Sequence, residues 1–176
     1  MDKVARISRL QSILRQFPCP HRALDLGCGD DDELAAYIVN QRQLTKTPSD
    51  RLLIVSVDRT LSGLRAIQRR KNAQSIQADL TTLPFSRQAT FDFILVRHPD
   101  IDRSAEQWKT AFSELPALLH RDGILLVTTY SAAEMEQIQG WLLVPTFRAY
   151  PVALDRLAPP DLVGRDRVVR AYLRSP

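Results

Sequence analysis

Gly27-Cys28-Gly29 follows an apolar run and precedes Asp30, Asp31, Asp32 and Glu33. Glycines at such a place let the main chain turn sharply and let a ligand come close to the backbone. A helix that starts just beyond offers amides without intrahelical partners. A dinucleotide or another adenine-containing cofactor would use this turn; so would a plain strand-to-helix connection. Charge separates the two ligands. A dinucleotide sets its pyrophosphate at the helix N-terminus, where here four carboxylates crowd. Two like charges about 4 Å apart repel by roughly 1–4 kcal/mol, depending on the local dielectric. The third glycine of the dinucleotide fingerprint is also missing, with Asp32 in its place. A cofactor with an adenosine, no phosphate and a positive centre suits the site better, and NAD-dependent oxidation is the weaker reading.

The elements that must position this turn follow from the rhythm of the chain. Short apolar runs alternate with longer amphipathic stretches, the pattern of βαβ units on a parallel sheet. Residues 22–26 read as the first strand, ending in the glycine turn, and a helix runs on to about Leu44 with any of the aspartates as its cap. Residues 52–57 read as the second strand, closing on Asp58, with a helix after it that carries Leu61, Leu64 and Ile67 on one side and Arg69, Arg70 and Lys71 near its end. Residues 75–78 and 91–96 read as the third and fourth strands. A long helical stripe then runs from Ile101 through Trp108 and Phe112 to Leu119, which Pro116 kinks or restarts. Asp122-Gly123 reads as a tight turn into a fifth strand at 124–129, followed by a helix at 132–142. Residues 147–152 and 168–173 read as two late strands with no helix between them, hence an antiparallel pair. The fold class is therefore α/β: a three-layer α/β/α Rossmann-like arrangement, mostly parallel, with an antiparallel strand near the C-terminus.

Composition limits the rest. With 176 residues, 44% hydrophobic and 25% charged, the chain fits one domain, an amphipathic helix at 1–17 followed by a core at 21–176. No apolar run approaches a membrane span, the N-terminus shows no signal-peptide pattern, and Cys19 and Cys28 sit at no metal or disulfide spacing. A cytoplasmic protein is the expectation. The net charge of +4 is mildly basic, and the arginine clusters at 65–71 and 165–174 read first as a solvated face.

The order of motifs resembles the class I S-adenosylmethionine-dependent methyltransferases over nearly the whole chain. Ala23-Leu24-Asp25-Leu26-Gly27-Cys28-Gly29 resembles their first motif, with Asp31 where the family has its last glycine. Val57-Asp58, followed by Arg59, resembles the acidic end of the second strand, which in the family holds the ribose hydroxyls. A carboxylate accepting from two vicinal hydroxyls is sound chemistry in its own right. Ala78-Asp79-Leu80, followed by Leu83-Pro84-Phe85, is similar to the motif that contacts adenine. The resemblance implies S-adenosyl-L-methionine as cofactor and S-adenosyl-L-homocysteine as product. It implies cofactor contacts at Asp25, Gly27, Cys28, Gly29, Asp58, Arg59, Asp79, Leu80 and Arg97. Plainer readings stand beside these: Asp58 as a helix cap, Asp79 as a turn cap through Thr81 or Thr82.

The fourth strand ends in Arg97-His98-Pro99-Asp100, the position that in these methyltransferases faces the transferable methyl. The tetrad of enzymes acting on exocyclic base amines is absent there. Methyl transfer from a sulfonium needs alignment and desolvation of the nucleophile, and a base only when the acceptor must lose a proton. His98 is the catalytic candidate for that base, with a free pKa near 6.5. Asp100 would orient it or bind a cationic acceptor, and Arg97 would take the cofactor carboxylate or an anionic acceptor. Alternatively, Arg97 and Asp100 form a loop ion pair and His98 is a turn residue. Trp108 falls on the core stripe; Tyr130, just past the fifth strand, is at the edge that lines a pocket. The expected activity is methyl transfer to an unidentified acceptor, a small molecule or a macromolecule, with nucleic acid weakly supported and no membrane partner. The N-terminal helix and the segments 97–103 and 155–167 are left to recognise it. The alternative from another class is a non-catalytic methyltransferase-like partner protein.

Overall fold

A strand buried on both faces belongs in the interior of a sheet, and one exposed on a face belongs at its edge. The computed structural model describes residues 7–46, 52–60, 64, 73–85, 90–142 and 146–175. Its strands are β1 (Arg22–Leu26), β2 (Leu53–Asp58), β3 (Ala73–Gln77), β4 (Phe91–Arg97), β5 (Leu119–Thr129), β6 (Phe147–Tyr150) and β7 (Val168–Arg174). They form one seven-stranded sheet in the order β3-β2-β1-β4-β5-β7-β6. The largely buried β1 and β4 lie inside, whereas β3, with Gln74 and Gln77 exposed, forms an edge. Only β7 runs against its neighbours, pairing antiparallel with both β5 and β6. The late strands therefore deliver the expected antiparallel pair, with β7 one place in from the edge.

Side-chain alternation along each strand assigns residues to the two faces. Leu24, Leu26, Val55, Val57, Ile94 and Val96 join one core with Trp108, Phe112 and Leu115 of helix α3 (Ile101–Leu118) and Met135 and Ile138 of helix α4 (Ala132–Trp141). Ala23, Ile54, Phe93, Leu95, Ile124 and Leu126 join the other, with Leu10, Ile13 and Leu14 of helix α1 (Arg9–Leu14) and Leu34, Ala35 and Ile38 of helix α2 (Glu33–Leu44). The same alternation carries Asp25, Arg97 and Thr128, at the carboxyl ends of β1, β4 and β5, to the α1/α2 face.

Several expected boundaries shift for physical reasons. Pro116 neither kinks nor restarts α3; it lies in the last turn, where its missing amide removes a single bond, and the backbone leaves helical geometry at Ser104 instead (φ −138°). Asp122-Gly123 does not open a new strand. β5 runs through it, and the extra residues are absorbed as an irregularity, with Phe91 opposite Leu119 and Phe93 opposite Ile124. β6 stops at Tyr150 because Pro151 has no amide for the ladder. α1 ends at Leu14, before the prolines. Residues 1–6 of the expected first helix, and all but Leu64 of the helix expected after β2, lie outside the described residues; Leu64 is buried.

Candidate functional site

Two clefts open at the carboxyl ends of the parallel strands, where ligands of open α/β sheets sit. They share Gly27 and His98. The first, of about 290 Å³, lies beyond β2 and β3 and is lined by Asp58, Arg59, Asp79, Leu80, Asp100 and Trp108. The second, of about 250 Å³, lies on the α1/α2 side and is lined by Asp25, Cys28, Asp31, Arg97, Tyr130 and Arg165. All the residues expected to meet the cofactor or the acceptor line one cleft or the other except Gly29, whose amide is nonetheless tied into the first.

The glycine turn is built from backbone freedom. Gly27 and Gly29 both adopt left-handed geometry, with φ of 73° and 57°. The Gly27 amide donates to the Val57 carbonyl (2.8 Å), hooking the turn onto β2. A Cβ at Gly27 would lie 2.7 Å from the Trp108 ring, whereas one at Gly29 would meet nothing within 4 Å. Trp108 therefore belongs to the core, as the stripe implies, and at the same time forms the wall against which the turn rests.

Asp58 accepts from the Gly29 amide at Oδ2 (2.9 Å), and from the Thr60 amide (2.8 Å) and hydroxyl (2.6 Å) at Oδ1. A carboxylate has about four lone-pair sites, so acceptor capacity is left over in the cleft. Asp79 accepts the Thr81 amide (2.8 Å) and hydroxyl (2.6 Å) at Oδ1, which is the turn cap weighed above. Those hydrogen bonds, the hydroxyl's first, hold its carboxyl below the ordinary range. Its Oδ2 accepts nothing among the described residues.

Asp25 is 5% exposed. Burial first, then the neighbouring Asp31 and Asp58 charges, push its carboxyl up to about 8 against the opposing pull of Arg97. Burial likewise raises the Cys28 thiol, with Asp25 adding to it.

Arg97, expected to take the cofactor carboxylate or an anionic acceptor, meets carboxylates of the chain itself. Its Nε and Nη2 form a fork on Asp166 (2.9 and 2.6 Å), and Nη1 donates to Asp31 and to Glu33 (3.2 Å). Burial disfavours its charge, but the hydrogen bonds to Asp166 and the surrounding carboxylates more than offset this and raise its pKa. No Arg97–Asp100 loop pair forms. Asp31 also accepts from the Glu33 amide (2.8 Å), so a side chain of the chain itself occupies the start of α2, where a pyrophosphate would bind.

His98 stands at the junction of the clefts with φ of 48°, its amide on the Thr128 carbonyl (2.9 Å) and its ring 4.1 Å from the ring of Tyr130. Asp166 escaped the sequence reading. It sits in the loop between β6 and β7, is 1% exposed, and accepts from Arg97 and from the Thr128 hydroxyl (2.8 Å). Nothing local in Gly164-Arg165-Asp166-Arg167 distinguishes it from a solvated loop residue. The same loop is tied to α1 through the Arg9 guanidinium, which donates to the Asp166 carbonyl (2.6 Å), and through the Ser12 hydroxyl, which accepts from the Ala158 amide (3.0 Å).

These residues fit a cationic nucleoside. Carboxylates end the strands in both clefts, the space above Gly29 is open, and a buried acid faces the second cleft. A family model described as a methyltransferase domain matches residues 24–127, from β1 into β5. The chain is similar to the N-methyltransferase NodS from Bradyrhizobium japonicum WM9, solved with S-adenosyl-L-homocysteine (17% identity, 96% of this chain and 84% of that one, TM-score 0.63). It is also similar to the plantazolicin methyltransferase BpumL, solved with a triazolic desmethylPZN analog and the same nucleoside (15% identity, 99% and 87%, TM-score 0.66). An rRNA methylase from Streptococcus thermophilus is a third (13% identity, 99% and 100%, TM-score 0.62). At these identities the three similarities are ones of fold. No curated protein matches the chain.

Proposed function

The chain belongs to the methyltransferase domain family, and from that premise we propose how its residues divide the work of an S-adenosyl-L-methionine-dependent methyl transfer. The cofactor supplies an electrophilic methyl on a sulfonium. Asp58 accepts from the ribose hydroxyls. Asp79 and Leu80 meet the adenine, with Arg59 at the rim. The Gly27-Cys28-Gly29 turn and Asp25 hold the methionine part. Arg97 acts one step back, cross-tying β4 to the loop that closes the second cleft. His98, Asp100 and Tyr130 surround the place where the acceptor meets the methyl. The acceptor enters between α1, residues 97–103 and residues 155–167, of which α1 and the last segment lie outside the family match.

The observation that carries this reading is the distribution of carboxylates: Asp58 and Asp79 beyond the strands in one cleft, Asp25 buried in the other, with the glycine turn between. It also opposes a dinucleotide, because Asp31 already accepts the Glu33 amide at the start of the helix, where a diphosphate would sit. No helix among the described residues is long and apolar enough to cross a membrane. Two free cysteines, one exposed, support a reducing, cytoplasmic setting.

Calorimetry with S-adenosyl-L-methionine and S-adenosyl-L-homocysteine tests the proposal. Both are expected to bind, NADH is not, and Asp58→Ala should weaken both by about 10–100-fold, the loss of a charged hydrogen-bonding group worth about 1.5–3 kcal/mol. No binding at millimolar ligand, or micromolar NADH affinity, would overturn it; an unchanged Asp58→Ala affinity would mean the ribose lies elsewhere.

A further inference from the structure

His98 Nε2 lies 2.7 Å from the amide nitrogen of Asp166 and 3.2 Å from its Oδ1. A backbone amide carries its hydrogen at every accessible pH. The shorter contact therefore requires a lone pair on Nε2, and a neutral imidazole with a bare Nε2 has its proton on Nδ1. Nδ1 has no hydrogen-bond partner among the described residues, and the ring lines both clefts.

The amide that imposes this is unusually well held. Asp166 has φ of 54°, its carboxylate takes the Arg97 fork and the Thr128 hydroxyl, and its carbonyl accepts from Arg9 Nε at 2.6 Å. The histidine is fixed from its own side too, by its amide on Thr128 and by the Tyr130 ring. Rotating the ring to free Nε2 would strand a buried amide.

We propose that Asp166 is a positioning residue whose backbone amide locks His98 in the Nδ1–H tautomer, so that His98 meets the acceptor as a hydrogen-bond donor and not as a base. This rests on the methyl-transfer reading and narrows it. An acceptor that must lose a proton to His98 has nowhere to put it, because Nε2 is engaged and Nδ1 is already protonated. An anionic nucleophile would meet Asp30 and Asp31 in the same cleft. A neutral nitrogen, an amine or a ring nitrogen, has its lone pair already free and needs neither His98 as a base nor a negative charge. Its electron pair forms the new N–C bond while the C–S pair stays with sulfur, and no proton moves in the step.

The test needs no acceptor. The chain has three histidines, His21, His98 and His120, so long-range proton–nitrogen correlation on uniformly ¹⁵N-labelled protein at pH 8.5 resolves each ring. His98→Asn, tolerated at a positive φ, assigns the His98 signals by their loss. The expected result is a protonated Nδ1 and a bare Nε2 for His98. A protonated Nε2, or the averaged nitrogen shifts of a freely exchanging imidazole, would overturn the proposal. Calorimetry with S-adenosyl-L-homocysteine on the same sample reports separately on the methyltransferase reading, so the two can fail independently.

Discussion

Asp25 is a buried carboxyl whose nearest charges are mostly other carboxyls, and its protonation is linked to folding. Its folded value is pushed up to about 8 by burial and by Asp31 and Asp58, against an unfolded value near 4. Between those two values the folded chain keeps a proton that the unfolded chain has released. The contribution of Asp25 to stability therefore falls as pH rises through the window and levels off above about 8. Asp25→Asn removes the titration. Its melting temperature relative to the parent should rise steadily from pH 5 to pH 8.5, and a difference that stays flat would show that Asp25 is ionised throughout. Asp166 has the opposite sign. Burial opposes its charge, but the Arg97 fork and the Arg97 charge prevail and hold it below the ordinary range. Its contribution is present above about pH 4 and is lost as pH falls through its folded value. Both are aspartates; only their surroundings separate them. Asp25 was singled out only through the motif that resembles the family's, since a strand-end aspartate is more often structural. Asp166 carried no such local mark.

The turn between β1 and α2 shows how one element constrains its neighbours. Gly27 and Gly29 share the left-handed backbone, which costs a side-chain-bearing residue about 1–2 kcal/mol. Gly27 is constrained a second time, by the Trp108 ring 2.7 Å from where a Cβ would stand. Gly27→Ala should therefore lower the urea midpoint clearly more than Gly29→Ala, because it must also displace a buried indole. Equal midpoints would mean that the α3 wall yields freely. α4 is a simpler case. Ser131 accepts from the Glu134 amide (3.2 Å) and Glu134 accepts from the Ser131 amide (3.0 Å), a reciprocal cap contained within four residues. Short-range devices of this kind place helix ends without reference to the rest of the fold. The wall against Gly27 cannot be read that way, since nothing along the chain joins residue 27 to residue 108.

Closing the second cleft takes both ends of the chain. Gln16, just past α1, accepts from the Ala153 amide (2.7 Å) and donates to the Ala153 carbonyl (3.2 Å), and Ser12 and Arg9 hold the same loop further on. Gln16→Ala removes two such bonds. It is expected to cost about 1–3 kcal/mol and to speed limited tryptic cleavage after Arg156 while leaving the sheet core resistant; unchanged cleavage would show that the loop holds itself. The sequence by itself determined the alternation of strands and helices, the glycine turn and the acidic residues at the ends of β1 and β2. Each of these is written in neighbouring residues, through side-chain alternation, backbone freedom or a cap. The tertiary structure alone decided that Arg97 forks onto Asp166, that Trp108 backs Gly27, and that the Asp166 amide meets the His98 ring. Arg97 and His98 meet Asp166 across 69 and 68 positions of chain. Contacts at that separation are set by the order of strands in the sheet and the loop folded back over it, which no local pattern encodes.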